Sequence, residues 1–257
     1  MAAVLVVALT LTAGAAPTPA PSTDPAPSAA PTSCSTGTGP YQRELESYLR
    51  LPPDGHQSPA DCAAISAFQS RNEVRPADGY ASLATYRTML VVQARPDPNA
   101  AGNCPVRDYK VACVDLDRQL MWVQEGRRVT FAPVPIRSGR DGYETRTGWF
   151  SVYWRDQDHY SDLYDNAPMP YSQFFSDGQA FHGSLVDLFK GGSHGCVNLQ
   201  LNDARRLWDE LTEDDAVYIW GTKPGTERGL RPAAERPDPH GNPPPAVHTP
   251  PPNPGAR

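Results

Sequence analysis

The chain lacks several features that mark whole classes of protein. Its 257 residues carry 23 Lys and Arg against 29 Asp and Glu, a formal net charge of −6. It therefore lacks the basic excess with which nucleic-acid-binding proteins neutralise phosphates. No apolar run is long enough to span a bilayer. The stretch Ala2 to Leu11, AAVLVVALTL, has about half the ~20 residues that a spanning helix needs. No Lys or Arg precedes Arg43, so this run has no charged leader. No set of His, Cys, Asp and Glu is spaced like a known metal motif, and neither a metal nor another cofactor is expected. Proline, by contrast, is abundant and uneven: of 29, seven lie in residues 1–40 and eleven in residues 224–257. With apolar residues at 39% and aromatics at 9%, a folded middle of roughly 180 residues between two solvated ends is expected.

Ala13 and Ala15 follow the apolar run and fit an A-x-A cleavage site, so residues 1–15 are read as an export signal. The missing leader charges point to a start further upstream or to an atypical signal. Once it is cut, no stable membrane span remains. Pro31-Thr32-Ser33 before Cys34 lacks the leucine usual at a lipid-attachment site. Residues 16–40 read as a Pro/Ala-rich tether and 224–257 as a disordered Pro-rich tail, with no catalytic reason for His240 or His248.

Residues 41–92 predict a module of three short helices. Tyr41, Leu45 and Leu49 recur at helical spacing. Ser58-Pro59 opens a second stripe from Ala60 to Phe68, Asp78-Gly79 makes a turn, and Ala84 to Leu90 form a third helix. Residues 93–105 read as a linker. From 106 to 223 the signal is mainly β. KVACVDL, QLMWVQ, RVTFAPV, GWFSVYW and AVYIW are apolar runs, with one late helix at Ala204, Leu207, Trp208 and Leu211, capped by Asn202 or Asp203.

Five cysteines, an odd number, leave at least one thiol unpaired within the chain. In an exported chain disulfides are allowed. Four cysteines can pair in three ways. The preferred pairing joins Cys104 to Cys113 across nine residues that can fold back as a hairpin, and Cys34 to Cys62. Cys196 is then the leftover thiol, within FHGSLVDLFKGGSHGCVNL (181–199). A free thiol is only about 3% ionised at pH 7 and needs a base. His194, two residues before Cys196, and His182, on a short apolar run upstream, both qualify by spacing. Gly191, Gly192 and Gly195 permit close backbone approach, and amides around Gly195 and Cys196 can face a developing oxyanion. The competing uses of these side chains are an inert buried cysteine and a zinc site of His182, His194 and Cys196.

The hexapeptide Ser193-His194-Gly195-Cys196-Val197-Asn198, with His182-Gly183 upstream, resembles the signature of the YkuD-type L,D-transpeptidases over residues 108–221. Ser138-Gly139 and Thr145-Arg146-Thr147-Gly148 resemble that family's S-x-G and T-P-x-G stretches. Arg146 stands where proline is usual, and the gap from His182 to Ser193 is short. The pattern AISAFQ (64–69), DGY (78–80) and Thr85 resembles a three-helix peptidoglycan-binding module; the alternative is a helical spacer. The resemblance implies a mainly β YkuD-like sandwich or barrel with a late helix. It also implies acyl transfer between peptidoglycan stem peptides outside the cytoplasm, in association with the cell wall. By that carry-over Cys196 is the nucleophile and His182 the proton carrier oriented by the Gly183 carbonyl. His194, Gly195 and Cys196 supply oxyanion amides, Ser193 braces the loop, and Asn198 lies near the substrate. Residues 164–175 look like a lid, with Tyr171 and Phe174 as substrate contacts. A wall-peptide hydrolase and a non-catalytic wall-binding protein are the competing functions. Papain-like hydrolases place Cys before His, whereas here His182 precedes Cys196.

Overall fold

The computed structural model describes residues 34–226 and 240. The expected signal, the first part of the tether and nearly all of the tail lie outside them. Three helices come first: α1 (Gln42–Leu49), α2 (Pro59–Arg71) and α3 (Leu83–Ala94). The residues at the start of α2 dictate its position. Ser58 Oγ accepts from Asp61 N at 3.2 Å and Ser58 N donates to Asp61 Oδ2 at 2.9 Å, a reciprocal capping box with Pro59 at the first helical position. Ser82 caps α3 by accepting from Thr85 N. This helix runs past Leu90 into the expected linker, because Val91 and Ala94 are buried against the β domain.

Leu45, Ile65, Phe68, Ala81 and Met89 form the apolar core of the module, which also encloses a polar centre. Gln69, 1% exposed, donates through Nε2 to Tyr80 O and Thr85 Oγ1, both at 3.0 Å, and accepts Gly79 N–H at 2.8 Å. The F-Q, D-G-Y and Thr pattern is thus one hydrogen-bonded knot joining the end of α2, the turn and the start of α3. A disulfide from Cys34 to Cys62 and a bond from Ser35 N to Asp78 O (2.9 Å) fasten the chain before α1, so the expected tether is docked from Cys34 onward.

The rest of the described chain forms two sheets and a helix. The strands are β1 (Lys110–Asp115), β2 (Leu120–Glu125), β3 (Arg128–Pro135), β4 (Gly148–Ser151), β5 (Trp154–Tyr160), β6 (Pro168–Ser176), β7 (Gln179–Ser184), β8 (Val197–Gln200) and β9 (Ala216–Trp220), with α4 (Leu201–Glu210) before β9. One sheet has the order β3-β2-β1-β9-β4 and the other β5-β6-β7-β8. The first sheet is a middle layer. Ala112, Val114, Met121, Val123, Val217 and Ile219 share a core with Phe175, Phe181, Val197 and Leu199 of the second sheet and with Ala204 and Leu207 of α4. The alternate residues Val111, Cys113, Leu120, Trp122 and Ala216 meet Val91, Ala94 and Cys104 on the other side. Burial on both faces is why these strands read as continuous apolar runs. A disulfide joins Cys104 to Cys113, and Asn99 brackets Cys104 with bonds of 2.8 and 2.9 Å. The segment read as a linker is therefore clamped to the sheet.

Four expectations change. GWFSVYW is two strands, since β4 and β5 belong to different sheets and Val152 and Tyr153 carry the chain across. Most of the expected lid is β6, an interior strand, and only its first residues, 164–167, lie in a loop, the one that spans 161–167. The cap of α4 is Gln200, and Asn202 and Asp203 fall in the first turn, where Asp203 complements the positive end of the helix. His240 lies against the Tyr109 ring, with centroids 4.1 Å apart.

The buried knot gives a stability test. Gln69→Ala leaves the Gly79 amide without its acceptor in the module core, and a loss of about 2–4 kcal/mol is expected by urea denaturation. A loss below about 0.5 kcal/mol would show that the knot is dispensable.

Candidate active site

β7 and β8 run parallel, with Phe181 opposite Val197 and His182 opposite Asn198. Phe181 and Val197 enter the core, so strand alternation sends His182, Asn198 and, two residues back, Cys196 to the opposite face. On that face Cys196 packs against the cluster of Met169, Phe174 and Ala180. The two disulfides leave Cys196 as the free cysteine among the described residues, and it is half-buried. Its Sγ lies 3.8 Å from Gly178 O. Burial pushes the thiol above its ordinary pKa, and a hydrogen bond from the Ala180 backbone pulls the other way.

His182 Nδ1 lies 2.8 Å from Gly183 O, and Nε2 lies 2.6 Å from the Asn198 amide nitrogen. Burial pushes the imidazole down to about 4; the Gly183 contact opposes this, while Arg137 and His159 add to it. Asn198, 2% exposed, is bound on its other side by Arg137, whose Nε and Nη2 reach Oδ1 at 3.0 and 2.7 Å. The structure thus places Asn198 between two protein partners rather than open to a ligand.

The turn before Cys196 is braced from within and from outside. Ser193 Oγ donates to Cys196 O at 2.5 Å and accepts Gly195 N–H at 3.1 Å. Thr145 Oγ1 donates to Gly195 O at 2.8 Å and accepts Gly139 N–H at 3.0 Å. Gly195 has φ of 110°, and a Cβ there would stand 2.2 Å from Gln179 Nε2. Gln179 is itself held, accepting Arg146 N–H at 3.0 Å and donating to Glu144 O at 3.0 Å. Proline has no N–H to give Gln179, so the departure at Arg146 has a local use. The short gap after His182 is tied down by Arg137 Nη1, which reaches the carbonyls of Asp187 and Lys190.

The His194 ring forms the rim. It stacks on Tyr164 at 4.2 Å, meets Tyr143 edge-on at 4.8 Å, and lies 2.7 Å from Arg140 Nη2 through its Nε2. Of the two expected substrate contacts, Phe174 shares the cluster that Cys196 packs against and stacks on Trp154 at 4.6 Å. Tyr171, with φ of 60°, packs instead against the core and Trp208 of α4. Gln173 pairs with the core residue Phe181, so alternation puts Tyr171, two residues back, on the core face and away from Cys196. The sequence reading missed Arg137, Arg140, Tyr143, Trp154, Tyr164 and Gln179. Arg137 and Arg140 flank the Ser138-Gly139 pair that was singled out, and this adjacency was the available signal.

The model of the YkuD L,D-transpeptidase catalytic domain matches residues 109–219. No curated protein matches the chain. An L,D-transpeptidase (Yku) from Stackebrandtia nassauensis is 34% identical over 77% of this chain and 100% of that one, with a TM-score of 0.58. An L,D-transpeptidase from Xylanimonas cellulosilytica is 27% identical over 77% and 100%, with a TM-score of 0.42. One from Mycobacterium tuberculosis is 18% identical over 44% and 57%, with a TM-score of 0.41.

The braced turn is tested by Gly195→Ala. The strained φ and the clash with the held Gln179 side chain are expected to cost about 1–3 kcal/mol of stability. They are also expected to change the rate at which iodoacetamide labels Cys196. Wild-type labelling and stability together would show that the turn tolerates a side chain.

Proposed function

The chain belongs to the YkuD family of L,D-transpeptidases, and on that premise we propose that it is an exported acyltransferase that crosslinks peptidoglycan stem peptides through Cys196. The supporting observation is that Cys196 and His182 share one sheet face, with Nδ1 of the imidazole turned to the Gly183 carbonyl. That contact calls for an Nδ1–H tautomer, which leaves Nε2 as the ring's acceptor; the Asn198 amide nitrogen holds its lone pair at 2.6 Å and must give way before Nε2 can take the thiol proton. Two disulfides fit a chain that works outside the cytoplasm.

The reaction follows from the resting charges. Burial raises the thiol and lowers the imidazole, so the resting pair is neutral rather than thiolate and imidazolium. As sulfur bonds to the scissile carbonyl carbon, the thiol proton passes to His182 Nε2 and the carbonyl oxygen becomes an oxyanion. Because the Gly195 amide is occupied by Ser193, oxyanion donation falls to the amides of His194 and Cys196. The C–N bond to the terminal D-alanine then breaks, and the imidazolium proton leaves with its amine. A side-chain amine of a second stem attacks the thioester, His182 takes its proton, and the thiol is restored. Tyr143, Trp154 and Tyr164, each 41–47% exposed, supply apolar walls at the mouth.

The helical module is the second part of the proposal, as a wall-binding element. A groove of about 570 Å³ is lined by Tyr48, Phe68, Arg50, Arg71 and Asn72. The half-buried Tyr48 ring beside two guanidinium groups suits sugars that carry carboxylate-bearing peptides.

Single-turnover acylation by a tetrapeptide donor, followed by intact mass, tests the chemistry. Cys196→Ala is expected to form no adduct. His182→Ala should acylate about a hundredfold more slowly or worse, and His194→Gln should lose less; the reverse order in two folded variants would overturn the choice of base. Release of a hydrolysed stem without crosslinked product would make the chain a peptidase. The neutral imidazole is the active form, so the wild-type rate should persist in mild acid and fall as pH drops through about 4. An acid limb at the ordinary histidine value of about 6.5 would contradict the resting neutral pair. For the module, the full chain is expected to pellet with purified sacculi, and Arg50→Glu with Arg71→Glu to reduce pelleting severalfold. Unchanged pelleting would move wall binding elsewhere.

A further inference from the structure

The contacts from Arg137 to Gly183 run in one direction. A guanidinium has donors only, and two of them, Nε and Nη2, converge on one atom of the Asn198 side chain. That atom is therefore the amide oxygen, and the –NH2 group must face the other way, towards His182 Nε2 at 2.6 Å. Since –NH2 only donates, Nε2 must carry the lone pair and the ring proton must sit on Nδ1, where the Gly183 carbonyl accepts it. We propose that Arg137 is a positioning residue for acyl transfer: by fixing the Asn198 amide it holds His182 in the Nδ1–H tautomer that the Gly183 carbonyl also calls for, and it fixes the orientation of the ring.

Arg137 is well placed to impose this order. It is anchored by main-chain bonds, Arg137 N to Asn198 O and Asn198 N to Arg137 O, both 3.0 Å. Its third nitrogen holds the carbonyls of Asp187 and Lys190. The amide can flip only if the guanidinium fork opens. The consequence bears on the proton in transit. For Nε2 to take the thiol proton the Asn198 –NH2 must first release its lone pair, and the new N–H then faces a donor and, behind it, a cation, while His159 adds to the same push. The opposing groups are the Gly183 carbonyl, Asp187 beside Arg137, and Asp156, which lies 3.0 Å from His159. The imidazolium is held poorly, so the proton passes on to the departing amine. Lysine would keep the charge but lose the two-pronged grip.

The inference rests on reading Cys196 and His182 as the reacting pair, and its test separates the two. Long-range 1H–15N spectra of the full chain report the tautomer and titration of His182 directly. The wild type is expected to show Nδ1–H alone. Arg137→Met should give mixed tautomers and a His182 midpoint higher by about a unit, a tenfold change in the protonation constant. Arg137→Lys should mix the tautomers with a smaller shift. Asn198→Asp, whose carboxylate accepts from both neighbours, should raise the midpoint furthest. The acylation kcat of Arg137→Met should fall about tenfold or more with little change in KM. A folded Arg137→Met protein that keeps a single Nδ1–H tautomer and the wild-type midpoint would overturn the proposal. If His182→Ala still acylates normally, the reading of the base fails while the spectra of Arg137 variants still stand.

Discussion

Everything near Cys196 depends on two short pairings between the segment that leaves β3 and the segment that enters β8. Arg137 pairs antiparallel with Asn198, and Gly139 pairs parallel with Ser193. They join the two sheets at the place where the sheets would otherwise part, and they turn the glycine-rich stretch around Ser193 into a fixed surface. The same pairings carry Arg137 to Asn198 and place Gly139 within reach of Thr145, which holds the Gly195 carbonyl. Gln119 locks the segment from below, bonding Ser138 through both Oγ (2.6 Å) and N (3.1 Å). Lys223 ties Ser138 O to Gly191 O.

The electrostatics of the site suit a thiol in a chain that also holds two disulfides. A cysteine whose ionisation is disfavoured reacts slowly with disulfides and peroxides, because the thiolate is the reactive form. Burial, which raises the Cys196 thiol above its ordinary value, keeps the sulfur largely protonated. Burial sets both shifts, raising the thiol and lowering the imidazole, and Arg137 adds to the second.

The sequence was legible where local chemistry repeats. β1, β2 and β9 showed as apolar runs because both of their faces are buried, and α2 showed its start because Ser58 and Pro59 are local signals. β5 was hidden because Arg155, Asp156 and Asp158 lie on an edge strand that carries no apolar alternation. β6 was hidden because Pro168 and Pro170 in close succession resemble a loop. In the site, Cys196, His182 and His194 lie close together in the chain and form a readable motif. Arg137 and Asn198 are 61 positions apart, and Tyr164 meets His194 only through the path of the 161–167 loop. No single-chain pattern encodes such meetings. The resemblance set Asn198 near the substrate; its side chain lies between Arg137 and His182.

The helices at the front of the chain share their packing with the middle sheet. Leu90 belongs to the edge of both apolar clusters, Arg87 Nη1 donates to Arg118 O at 2.7 Å, and Arg118 reaches back to Pro98 O at 2.8 Å. With the Cys104–Cys113 bridge across the same seam, the two parts have no free hinge between them. The molecule is therefore a gauge rather than a hook on a string. The helices and the face that carries the thiol keep one distance and one angle, and a body that touches both must match that spacing.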